Sequence, residues 1–103
     1  MSAPVAGRAL FVLERDGMQQ SIVDLEAPTN LVFDYMRRIG DVLDALPEGR
    51  LRVLHVGGAA MTLPRYVAAT RPGSRQIVLE PSTGVIEEVR RHAPLPPRSG
   101  IKV

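Results

Sequence analysis

The chain contains no cysteine and no tryptophan, and its only aromatic residues are Phe11, Phe33, Tyr35 and Tyr66. Without cysteine there are no disulfides and no thiolate-bound metals, which suits a reducing compartment. With so few aromatic rings, the core has to be aliphatic. No apolar run approaches the roughly 20 residues of a membrane-spanning helix. The opening Met1-Ser-Ala-Pro-Val-Ala-Gly-Arg8 has neither the basic start nor the long apolar centre of a secretory signal. These absences point to a cytoplasmic protein with no membrane partner.

An excess of one charge is also lacking. Thirteen Lys and Arg against eleven Asp and Glu leave a formal +2. The bases are scattered, and the pairs Arg37-Arg38 and Arg90-Arg91 fall in helical patterns, so no nucleic-acid partner is expected. The two histidines, His55 and His92, have no carboxylates at ligand spacing, so no metal site is expected. No serine sits in the Gly-x-Ser-x-Gly elbow of hydrolases. A composition of 45% hydrophobic and 23% charged residues is that of a globular chain. Its 103 residues allow one domain at most.

What is present centres on Arg52-Val-Leu-His-Val-Gly-Gly-Ala-Ala-Met-Thr-Leu-Pro-Arg65. The stretch 52–56 reads as a short strand that stops at two glycines. Thr62 is placed to cap a helix of about 62–70, with Pro64 in its first turn. Strand, glycine turn and helix start form a cradle whose free amides would suit an anionic or polar ligand edge. His55, mid-strand, reads as a buried, neutral, hydrogen-bonded side chain.

Around this unit, residues 1–7 read as a loose tail. The run 9–13 and the return arm 18–25 flank Asp16-Gly17, the strongest local signal for a hairpin. Neither face of the return arm is uniformly apolar, so the hairpin reads as an appendage. A helix follows, with Leu31, Tyr35, Ile39, Val42 and Leu46 on one stripe, ending before Pro47. A second apolar run, 76–80, ends in Glu80, and a third helix carries Val85, Ile86 and Val89. After the proline-rich loop 93–100, Ile101-Lys-Val103 starts another strand. This order predicts an α/β fold in which a β-hairpin and a helix precede the first βαβαβ part of a doubly wound parallel sheet, a truncated Rossmann-like arrangement. The expected division is 1–28 for tail and hairpin and 29–103 for the N-terminal half of a nucleoside-cofactor domain. Glu80 follows the glycine turn by about the spacing at which such folds place a ribose-binding acid.

Val53 to Arg65, followed by Val78-Leu-Glu-Pro81, resembles the spermidine synthase (polyamine aminopropyltransferase) family on the S-adenosylmethionine methyltransferase-like Rossmann fold. The Asp16-Gly17…Gln20 hairpin and the helix holding Phe33-Asp-Tyr35 are similar to the family's N-terminal region. The resemblance covers nearly the whole chain but only the first half of the family's domain. It implies that Gly57, Gly58 and Ala59 form the loop against S-adenosylmethionine or its decarboxylated form, and that Glu80 binds the ribose. It further implies that Arg65 and Gln20 adjoin the cofactor and Tyr35 adjoins the substrate. The family's catalytic aspartate, which deprotonates the attacking amine, matches nothing in these residues. Ala59 and Ala60 stand for Gly and Asp, and Met61 and Thr62 for two further glycines. The expected partners of the full-length parent are a nucleoside donor and a polyamine. A part of a methyltransferase is an alternative. A second is a non-catalytic Rossmann module that self-associates as a homo-oligomer through the edge of strand 51–56.

Overall fold

In the computed structural model the described backbone comprises residues 2–5, 10–15, 18–58 and 60–103. The Asp16-Gly17 turn and Ala59 lie outside the described residues. Three strands, β1 (Ser2–Val5), β2 (Leu10–Arg15) and β3 (Met18–Asp24), form an antiparallel sheet in that order. Helix α1 (Asp34–Ala45) follows. Then β4 (Arg52–Val56), α2 (Thr62–Thr70), β5 (Arg75–Leu79), α3 (Thr83–His92) and β6 (Ile101–Lys102) build a parallel sheet in the order β4-β5-β6. This is the expected mixed α/β arrangement, a truncated Rossmann-like fold.

Two local expectations change. Residues 2–5 are not a loose tail, because they pair with β2 in the register Ser2↔Leu13 to Val5↔Leu10. Nor is the hairpin an appendage. Phe11, Leu13 and Val23 are buried in one cluster with Met61, Val78, Val85 and Val89. The mixed pattern of the return arm concealed this, because polar Ser21 and Asp24 are buried beside Val23 with their polar atoms satisfied. Ser21 Oγ lies 2.7 Å from Thr62 Oγ1. Asp24 accepts from the amides of Glu26 and Ala27 and from Asn30 Nδ2, fixing the turn that leads out of the sheet.

The parallel sheet has two unlike faces, as strand periodicity requires. Gln76 and Val78 of β5 are buried under α2 and α3, whereas Ile77 and Leu79 are about half exposed. On β4, Leu54 and Val56 face solvent at 61% and 85% exposure. The stripe Tyr35, Ile39, Val42 and Leu46 is present but points outward, and α1 instead buries Gly40 against Leu31 and Tyr66. Two polar side chains hold α1 in place. The Tyr66 hydroxyl donates to Asp44 at 2.7 Å. Arg71, buried at the end of α2, donates to the carbonyls of Leu43 and Leu46 at 2.9 Å and also to Pro47 and Gly49. Leu43 lies in the last turn of α1, where carbonyls lack their usual amide partner four residues on, and the other three acceptors lie just beyond the helix.

Two outcomes follow from this packing. Phe11→Ala should lower unfolding free energy by about 3–5 kcal/mol, as for a buried core ring. Urea titration checks this, and a loss under about 0.5 kcal/mol, typical of a surface position, would restore the appendage view. Burial, and after it the bond to Asp44, push the Tyr66 hydroxyl up to about 12. A folded value above the unfolded one means that this stabilisation is complete below about pH 10 and is lost as pH rises towards 12. Unfolding measured from pH 9 to 12 should show that slope in the natural chain, reduced in Tyr66→Phe.

Candidate functional site

The tips of β4 and β5 lie side by side, with Val56 opposite Leu79, and the turn after β4 continues the ladder through Gly57 N–H donating to Leu79 O at 2.7 Å. Gly57 has φ +82°, which glycine adopts without cost. Gly58 is needed for a different reason. A Cβ there would stand 2.6 Å from Val78 Cγ1 and 2.7 Å from Met61 Sδ. Its amide donates to Glu80 Oε1 at 3.1 Å, and the other carboxylate oxygen accepts from Ser82 N–H at 3.1 Å. Glu80 therefore joins the glycine turn to the start of α3, where Ser82 Oγ caps by accepting from Val85 N–H.

Beside this turn lies an open cleft. Gly57, Gly58, Glu80 and Tyr35 line it, so four of the expected site residues come together. Ser21, Met36, His55 and Thr62 line it as well, and the motif reading gave none of them a site role. Thr62 was expected to cap α2. The N-cap is instead Met61, in the left-handed region at φ 65°, and the Thr62 hydroxyl faces Ser21 and Ile22 O. Met61 stands where the resembling family has glycine, and its buried side chain offsets the strain of that conformation. For Gln20, in β3, the strand is described but the side chain is not.

Arg65 is not brought to this cleft. Its guanidinium is buried and donates to the carbonyls of Ala60 at 2.9 Å, Pro94 at 3.4 Å and Ala93. Burial lowers its pKa to about 10, which leaves it protonated at neutral pH. It braces the loop before α2 against the segment after α3. His55 is half-buried, with Nε2 2.7 Å from Gln76 Oε1. His92 stacks on Phe11 with ring centroids 6.1 Å apart.

The donors and charges restrict what the cleft can hold. The amides of Gly57, Gly58 and Met61 are each engaged within the protein, by Leu79 O, Glu80 and Gly58 O. The free-amide cradle expected for this loop is therefore absent at those three positions, and the turn is not built for a phosphate. The described lining includes one carboxylate, Glu80, and no lysine or arginine, which favours a neutral or cationic ligand. No group of three or more His, Asp or Glu that could hold a metal occurs among the described residues. Nor is any helix among them long and apolar enough to cross a membrane.

Neither protein-family models nor curated proteins match this sequence. Among solved structures the chain is similar to a probable spermidine synthase from Corynebacterium glutamicum, at 25% identity and a TM-score of 0.80. The match takes in 98% of this chain and 38% of the other. The class defined by the fold is thus a truncated Rossmann-like α/β arrangement, here with a glycine turn after β4 and an acid at the end of β5. Its structural similarity is to a spermidine-synthase-like fold, of which the chain spans well under half the length.

Arg65→Lys should cost about 1–3 kcal/mol, because an ammonium cannot reach several carbonyls with the geometry of the guanidinium fork. Thermal and urea unfolding check this, and unchanged stability would contradict the bracing role.

Proposed function

We propose that this chain is an N-terminal fragment of a spermidine-synthase-like aminopropyltransferase, and that the cleft at the tips of β4 and β5 is half of the site for decarboxylated S-adenosylmethionine or S-adenosylmethionine. The observation that carries the reading is the pairing of Gly58 with Glu80. It puts a carboxylate and a side-chain-free turn at one strand-tip crevice, where folds of this kind bind ligands. Glu80 would accept from the ribose hydroxyls, since a carboxylate can accept from several donors at once. The backbone at Gly57, Gly58 and Ala59 would lie along the methionine-derived arm, with Gln20 beside it. Tyr35 would flank the acceptor amine, and Arg65 would contribute by bracing the loop. A cationic sulfonium suits a cleft whose lining includes a carboxylate and no lysine or arginine.

In aminopropyl transfer the amine nitrogen forms a bond to the carbon next to sulfur as the carbon–sulfur bond breaks. The electron pair stays on sulfur as a thioether, and the amine gives up a proton. No residue described here is assigned to take that proton, so the chain by itself should bind without catalysing transfer. Transfer of a methyl group from the same donor class would use the same half-site.

A second reading rests on the bare sheet face. Leu54, Val56, Ile77 and Leu79 are all more than half exposed, and β4 has a strand neighbour on one side among the described residues. Such a face and edge favour self-association. On this reading the chain is a homo-oligomeric interaction module.

Calorimetric titration with methylthioadenosine, the thioether product, separates the two. Binding at millimolar ligand or below, weakened roughly tenfold or more in Glu80→Gln through loss of hydrogen bonds to a charged acceptor, supports the donor site. No heat at millimolar ligand overturns it. Light scattering at micromolar protein tests association, and a monomeric mass would end the second reading.

A further inference from the structure

We propose that His55 is the specificity-determining residue of the cleft, accepting a hydrogen bond through Nδ1 from the alkyl-ammonium group of the nucleoside donor. The inference rests on the donor-site reading above and names the contact that selects within that ligand class.

It starts from Gln76, which is buried under α2 at 1% exposure. Gln76 Nε2 lies 2.9 Å from Pro64 O. A carbonyl can only accept, so the amide must present its NH2 to Pro64 and its oxygen to the other side. That oxygen, Oε1, faces His55 Nε2 at 2.7 Å and can itself only accept. The ring nitrogen there must carry the proton. The network thus assigns His55 its Nε2–H tautomer, and a neutral ring then bears its lone pair on Nδ1.

Nδ1 has no protein partner among the described residues, and His55 lines the same cleft as Glu80 and Tyr35. A group whose tautomer is fixed from behind can serve only a donor in front. His55 pairs in register with Val78, two residues before Glu80, so the imidazole and the carboxylate mark different depths of one crevice. A ligand held by its ribose at Glu80 has one strong cationic donor left to offer, the ammonium of its alkyl arm. Hydrogen bonds with a charged partner are about twice as strong as neutral ones. Gln76 thus sets the chemistry of the histidine in front of it.

The test uses the whole chain labelled with 15N-histidine at about pH 8, well above the ordinary imidazole range. In the free protein, His55 should show the Nε2–H tautomer. Decarboxylated S-adenosylmethionine should shift its Nδ1 resonance, whereas methylthioadenosine, which keeps the nucleoside but lacks the ammonium, should not. In His55→Phe the preference for the ammonium-bearing ligand over methylthioadenosine should shrink about tenfold. An Nδ1–H tautomer, or equal shifts with both ligands, overturns the inference and leaves the donor site standing if methylthioadenosine binds. Failure of both ligands to bind overturns both. The tautomer measurement is made on the natural chain, so a His55→Phe chain that does not fold leaves the question decidable.

Discussion

At Gly58 the backbone passes so close to Val78 and Met61 that no side-chain carbon fits, and much else follows from that approach. It lets the Gly58 amide reach the Glu80 carboxylate, holding the turn after β4 to the end of β5. It brings Met61 down into the core, where its side chain meets the cluster shared by the hairpin, β5 and α3. Met61 then has to adopt left-handed backbone angles to start α2. The crevice that could receive a ligand and the packing that stabilises the fold are therefore set by the same few atoms.

Besides the Gly58–Glu80 bond, the loops around this point are held by arginines bonded to backbone carbonyls. Arg65 joins the residues before α2 to those after α3, and Arg71 joins the end of α2 to the end of α1. Guanidinium donors suit this task because several N–H groups diverge from one rigid plane. The arrangement also explains how a chain with a small net charge can bury cations. Their charge is balanced by carbonyl dipoles, so no buried carboxylates are required.

Much of the α/β half was legible in the sequence because its signals were local. Residues 52–56, the glycine pair and Pro64 place a strand, a turn and a helix start, and the structure has all three. The parallel order and the β6 start followed from the spacing of apolar runs. What could not be read depended on contacts distant in sequence. The hairpin joins the core through Phe11 and Leu13 although its return arm looks half polar, because Ser21 finds its hydroxyl partner 41 residues away at Thr62. That same pairing draws Thr62 away from the capping role that its position suggested. Arg65 matched a family position in sequence, but only the structure reveals that Ala60, Ala93 and Pro94 surround its guanidinium. His55 was legible as hydrogen-bonded, whereas its orientation required knowing where Gln76 and Pro64 lie.

The strand order in both sheets has a kinetic consequence. Every described pairing joins strands that are consecutive in the chain: β1 with β2, β2 with β3, β4 with β5, and β5 with β6. No described strand inserts between two that were made before it. Each antiparallel pairing closes a short connection, whereas each parallel pairing needs a helical crossover, the less local and slower kind of contact to form. The antiparallel sheet can form as its residues appear, and each later βα unit can add to an existing edge. The described strands can therefore be laid down in the order of synthesis, and among the described residues β4 keeps one edge without a strand neighbour.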